Sequence, residues 1–328
     1  MEKLEKVQQF SAQVSAIKNE LKKDVVGQQE IVDNVIIAII AGGNVLLEGV
    51  PGVGKTRLVR SLGRVLRLPF SRIQFTPDLM PSDVTGTNII EKDDNGKLNT
   101  VFKKGPIFAN LVLADEINRA TPKTQSAMLE VMQEHKVTVA NTTYALEEPF
   151  FVLATENPIE QDGTYPLPEA QMDRFVFKLI MKFPSVGELK DIVNMTQITM
   201  AETANAVVDG ATIMQMRALA NEVPVLDDVL QYAMNLVAGT HPEIDKATEV
   251  AKKYIKYGAS PRAGQALITC AKVRALINGN YNVSYEDIDA LARPVLRHRI
   301  KINYNAINDG YGVDEVIGLL LAENKKRK

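Results

Sequence analysis

Gly49-Val50-Pro51-Gly52-Val53-Gly54-Lys55-Thr56 decides how the rest of this chain is read. The stretch fits G-x-x-x-x-G-K-[ST] without a mismatch. Ahead of it, Asn44-Val45-Leu46-Leu47-Glu48 reads as a short buried strand. Behind it, apolar residues at Leu58, Val59, Leu62, Val65 and Leu66 make a helical stripe. Strand, glycine loop and helix are the context that a phosphate-cradling loop requires. Glycine lets the backbone turn tightly and aim several N–H groups at phosphate oxygens. A helix beginning near Lys55 adds its positive dipole end. Lys55 can reach β- and γ-phosphates, and Thr56 can offer its hydroxyl to Mg²⁺. The plainer alternative is an ordinary glycine-rich turn, and the two flanks argue against it.

A length of 328 residues allows one or two domains with a sizeable core. Hydrophobic residues make up 45% and charged residues 24%, as in a soluble globular protein. A formal net charge of -2 gives no global surface for nucleic acid or membrane. Cys270, the single cysteine, excludes an internal disulfide and a cysteine-rich metal site. It is expected to pack as a small hydrophobe inside a helix. The N-terminus is charged and lacks the apolar core of a signal peptide. The longest apolar run, Val35-Ile36-Ile37-Ala38-Ile39-Ile40-Ala41, is too short to span a bilayer. A cytoplasmic address without membrane insertion is therefore expected. Lys325-Lys326-Arg327-Lys328 reads as a solvated tail. His135, His241 and His298 lack metal-binding spacing.

Helices are expected over residues 2–23 and 29–41, on either side of a break at Val26-Gly27-Gln28. Residues 70–75 alternate like a second strand. Within the polar stretch 76–105, Asp94-Asn95-Gly96 signals a hairpin turn. Leu111-Val112-Leu113-Ala114, closed by Asp115-Glu116, reads as a central parallel strand. A helix follows from Pro122 to Glu134, then a hairpin over residues 136–146 with its turn at Asn141. Phe150-Phe151-Val152-Leu153-Ala154 and residues 175–180 supply two more strands. From Pro184 onward the strands are expected to stop and helical spacing takes over. The chain thus divides into an α/β half, residues 1–183, and a helical half, residues 184–328.

Asp115-Glu116 ends its strand where a parallel sheet faces its ligand crevice. Asp115 can then hold Mg²⁺, and Glu116 can orient and deprotonate an attacking water. The competing reading makes the pair a cap for the helix after Thr121-Pro122. Asn157, closing the next strand, can contact a γ-phosphate or its water; simple Asn-Pro turn chemistry is the alternative.

These motifs together resemble the AAA+ ATPase plan, and more closely the MoxR family. The stretches that carry the likeness are Asp115-Glu116-Ile117-Asn118-Arg119-Ala120-Thr121-Pro122-Lys123, Ala154-Thr155-Glu156-Asn157-Pro158 and Pro166-Leu167-Pro168-Glu169-Ala170-Gln171-Met172-Asp173-Arg174-Phe175. It runs from about Val26 to Val295. The resemblance implies a P-loop α/β fold, three layers around a central parallel sheet, followed by a smaller all-helical lid. It implies ATP or ADP against Val26, Gly27, Gly49, Pro51, Gly52, Val53, Gly54, Lys55, Thr56 and Arg57, with Mg²⁺ on Thr56 and Asp115. Asn157 resembles sensor 1, and Arg174 resembles the arginine finger that reaches a neighbouring subunit's ATP. Arg262 resembles the sensor-2 arginine. Read without the family, Arg174 pairs with Asp173 and Arg262 caps its own helix. Residues 76–105 resemble the helix-2 insert and residues 136–147 the pre-sensor-1 hairpin. Phe102, Lys103 and Lys104 either face a substrate or belong to a solvated hairpin.

The function so implied is ATP hydrolysis by a ring homo-oligomer, a hexamer, which remodels or activates a protein client. A von Willebrand factor A-domain protein is one such client. A nucleic-acid motor is the first alternative, and the acidic balance argues against it. A nucleotide-controlled scaffold with slow turnover is the second.

Overall fold

The computed structural model describes residues 2–92, 97–158, 163–198 and 204–327. Its strands are β1 (Val45–Gly49), β2 (Phe70–Gln74), β3 (Gly86–Lys92), β4 (Leu98–Lys104), β5 (Leu111–Asp115), β6 (Lys136–Val139), β7 (Thr142–Ala145), β8 (Phe151–Glu156), β9 (Phe177–Met181), β10 (Ile255–Tyr257) and β11 (Lys301–Ile302). Five of them form one parallel sheet in the order β2-β5-β8-β1-β9. Both faces of this sheet are covered, which is why β5 is buried at every residue and reads as an unbroken apolar run. Successive side chains alternate between the faces. Val45, Leu47, Leu111, Leu113 and Leu153 join one core cluster, and Leu46, Val112, Ala114, Val152 and Ala154 the other.

The first face is covered by α1 (Glu2–Leu21), α2 (Gln29–Ala41) and α3 (Lys55–Val65). The second takes α4 (Pro81–Thr85), a short helix unforeseen in the polar stretch, and α5 (Pro122–Glu134). The expected three layers are therefore present. Both expected hairpins form, β3 with β4 and β6 with β7. The Asp94-Asn95-Gly96 turn lies outside the described residues. A single turn of helix, α6 (Glu169–Met172), precedes β9.

The remaining helices are α7 (Val186–Val193), α8 (Gly210–Asn221), α9 (Asp227–Ala238), α10 (Glu249–Tyr254), α11 (Pro261–Ile277), α12 (Tyr285–Leu296), α13 (Tyr304–Asn308) and α14 (Val313–Lys326). Two expectations for this half need correction. Strands do not stop at Pro184: β10 and β11 pair antiparallel. Lys325 to Arg327 are exposed as expected, but Lys325 and Lys326 end α14 rather than forming a free tail. Lys325 pairs with Asp289 at 2.8 Å, and Arg327 donates to Lys246 O and Ala247 O. The apolar face of α14, with Val316, Ile317, Leu320 and Leu321 buried, carries the chain end back onto the lid. Cys270 is buried in α11, as expected. That helix packs against α1 and α2 as well as α8, α9 and α12, so one apolar cluster runs from the sheet into the lid.

Candidate active site

The glycine loop leaves β1 at its C-terminal end and enters α3. Gly52 and Gly54 have φ values of 82° and 97°, which side-chain-bearing residues rarely adopt. The first α3 bond runs from Leu58 N to Gly54 O at 3.0 Å. The N–H groups of Lys55, Thr56 and Arg57 thus belong to the open first turn and face the loop. The Lys55 ammonium donates to Gly49 O at 2.7 Å and is buried. Burial pulls its pKa below the usual lysine value, while Asp115 and Glu116 pull it back up. Among the described residues it forms no ion pair, so a buried cation sits beside unspent N–H donors. That set fits a polyphosphate. The Arg57 side chain turns instead to the Met195 sulfur at 3.1 Å.

Asp115 and Glu116 stand at the same end of the sheet. Asp115 Oδ1 accepts from the Thr155 hydroxyl at 2.6 Å, and its Oδ2 takes two bonds from Arg72 at 2.6 and 3.0 Å. Glu116 follows in the left-handed region at φ 57°. Its N–H donates to Thr155 Oγ1 at 2.8 Å, and its Oε2 accepts from Gln74 at 2.9 Å and from Arg119 at 3.2 Å. Neither carboxylate is the cap of α5, whose N-cap is Thr121, so the competing reading fails. The carboxylate of Asp115 and hydroxyl of Thr56 are oxygen donors of the kind Mg²⁺ takes. Arg72, Gln74 and Thr155 were not foreseen. Gln74 and Thr155 offered only a polar residue near a strand end as a signal, and Arg72, in the middle of β2, offered none.

Asn157 is buried directly after β8, at the crevice. The Val26–Gln28 segment is tied across to the lid connection, since Gln28 donates to Lys182 O at 2.8 Å. Gln28 also lines a cleft of about 710 Å³ shared with Phe183 and Glu188.

Arg174 and Arg262 lie elsewhere. Val176 N bonds Asn44 O at 2.8 Å, just ahead of β1, so Arg174 stands at the N-terminal edge of the sheet. The length of β1, about 16 Å at the usual rise per residue, separates that edge from the loop. Arg174 donates to Leu129 O at 2.9 Å and opens into a cleft of about 300 Å³ with Glu130 and Gln133. Asp173 pairs not with Arg174 but with Arg299 at 2.8 Å, and stands 3.9 Å from Arg262. The pairing of Arg174 with Asp173 read without the family is thereby overturned, and the cap position of α11 is Ser260 rather than Arg262.

A family model described as "ATPase family associated with various cellular activities (AAA)" matches residues 44–177, and an AAA lid domain model matches residues 247–317. The chain is 39% identical to Chaperone MoxR1 of Mycobacterium tuberculosis over 92% of its own length and 79% of that protein's. It is 29% identical to Protein MoxR of Methylorubrum extorquens, covering 86% of this chain and 85% of that protein. A crystal structure from Cytophaga hutchinsonii, of a chain described as a candidate ATPase, superposes with a TM-score of 0.89 at 40% identity. The superposition covers 97% of this chain and 96% of that one. Among the described residues no helix is long and apolar enough to cross a membrane. With a phosphate loop, an Asp-Glu strand end and a lid in this arrangement, the chain belongs to the MoxR family of AAA+ ATPases and hydrolyses ATP.

Proposed function

We propose that this ATPase works as a ring homo-oligomer, a hexamer, in which each ATP lies between two copies and drives the remodelling of a protein client. The observation that carries the reading is the separation of Arg174 from Lys55, Asp115 and Glu116 by the length of the sheet. A head-to-tail contact joins two unlike ends of one subunit, and repeated with closure it makes a ring. In such a contact Arg174 of one copy meets the phosphates bound by the next.

Lys55 and the 55–57 amides hold the phosphates. Asp115 and Thr56 would hold Mg²⁺, whose charge neutralises the phosphate oxygens. Glu116 takes a proton from water as the water oxygen attacks the γ-phosphorus. The bond to the β–γ bridging oxygen breaks, leaving ADP and phosphate. Arg174 stabilises charge on the transferring group, a contribution of roughly 10³–10⁵ in rate. Asn157 positions the water or the γ-phosphate. Arg262, beside Asp173, shares the Arg174 side of the contact. The name of the mycobacterial relative supports chaperone-like work. A von Willebrand factor A-domain protein is the client class we favour.

Glu116→Gln should bind ATP normally and lose turnover by about 10²–10⁴-fold. Arg174→Ala should be equally inactive. Mixed with Glu116→Gln subunits, which keep Arg174, it should regain hydrolysis at its own intact phosphate loops. Absence of recovery across all mixing ratios, with assembly intact, would refute a shared site.

A further inference from the structure

We infer that Arg299 is a positioning residue for the shared site, holding the segment that bears Arg174 so that the lid and the arginine move as one body. The inference rests on the shared-site reading above. Arg299 follows α12, yet its side chain is only 3% exposed and reaches back to the sheet edge. It donates to Asp173 Oδ1 at 2.8 Å, Asp173 O at 3.1 Å, Phe175 O at 2.6 Å and Val176 O at 3.2 Å. A fifth bond, to Val295 O at 2.6 Å, anchors the guanidinium to its own helix. Residues on both sides of Arg174 are therefore gripped by one planar group.

Two more lid residues grip the same segment. Ser260, at the start of α11, donates to Asp173 Oδ2 at 2.8 Å. His298 Nε2 meets Phe175 O at 3.0 Å. A carbonyl only accepts, so Nε2 carries the proton. Burial, aided by Arg299, keeps this imidazole well below its ordinary pKa and hence neutral.

The physical case turns on what a buried guanidinium is for. Residues 173–176 belong to neither α6 nor β9, so regular structure does not fix them. Burying a charge costs several kcal/mol, and an apolar replacement is often as stable. A guanidinium is warranted where several acceptors must be held at fixed angles, which its rigid fork does and an ammonium does not. Here the acceptors are the carbonyls flanking Arg174. A shift of about 1 Å at a reacting group can cost about 10²-fold in rate.

The test uses Arg299→Lys, which keeps the charge against Asp173 but cannot span the carbonyls. Its kcat should fall about 10²-fold with KM for ATP unchanged. Mixing with Glu116→Gln subunits, which supply a well-held Arg174, should restore hydrolysis at the phosphate loops of the variant. A subunit damaged by misfolding would not recover in this way. Wild-type kcat would overturn the inference. So would a loss that stays unrecovered in mixtures where Arg174→Ala recovers. If Arg174→Ala itself never recovers, the shared site fails and this inference falls with it. Should Arg299→Lys not fold, Ser260→Ala replaces it. That variant should show a smaller loss with the same recovery, and an unchanged rate or an unrecovered loss overturns the inference.

Discussion

Thr155 donates to Asp115 and accepts from the Glu116 amide, holding Glu116, a left-handed non-glycine residue, in place beside the Asp115 carboxylate. Such a backbone costs of order 1–3 kcal/mol and persists only where its surroundings dictate it. Arg72 is the opposing device, since its guanidinium pairs with the Asp115 carboxylate that would hold Mg²⁺. The pair is half exposed on the arginine side, so its worth is about 1 kcal/mol at most. Arg72→Ala should therefore lower the Mg²⁺ concentration for half-maximal hydrolysis by up to about fivefold. A rise in that concentration would show that Arg72 supports the metal site instead. Lys55, Thr56, Asp115 and Glu116 were legible because each belongs to a short motif at a strand end. Thr155, Arg72 and Gln74 were not, because each meets its partner only after its strand pairs with β5, some forty residues away.

The two hairpins meet through rings. Phe102 on β4 stacks on Tyr144 of β7 at 4.2 Å and 18°, and Phe108 stands edge-on to Phe102 at 5.7 Å. The Lys104 ammonium lies 5.2 Å above the Phe108 ring. Phe102 is thus turned toward the other hairpin, while Lys103 on the opposite face of β4 is exposed. Ile90 and Leu98 share the Phe102 face and remain largely exposed. Stacked aromatic pairs contribute about 0.5–1.5 kcal/mol beyond burial. Phe102→Ala should accelerate amide exchange about threefold to tenfold in residues 86–104 and 136–145 together. Acceleration confined to residues 86–104 would mean that the hairpins are not coupled. Hairpin turns are written in local residues, so both ribbons were legible; their mutual contact was not, since some forty residues separate the two rings.

At the scale of the molecule, His298 makes the join between lid and sheet sensitive to acid. Its folded pKa is depressed below the ordinary value of about 6.5, chiefly by burial. Above that value folding loses no proton. As pH falls below it, the unfolded chain takes up a proton that the fold refuses, and stability declines. Near pH 5.5 the loss is about 1 kcal/mol, or roughly 2 °C in midpoint. Thermal unfolding at pH 7.5 and 5.5 should show a smaller acid decline in His298→Gln than in the parent. Equal declines would remove His298 from the account. Local residue patterns wrote the phosphate loop, the strand that ends in Asp115-Glu116, both hairpins and most helices. Those features follow from glycine dihedrals and apolar spacing within a few residues. Long-range packing alone set Arg174 and Arg262 beside the N-terminal edge of the sheet, paired β10 with β11 inside the helical half, and closed Arg299 on residues 173–176. Each of these depends on which surfaces pack together across tens to more than a hundred residues, and local periodicity carries no record of that.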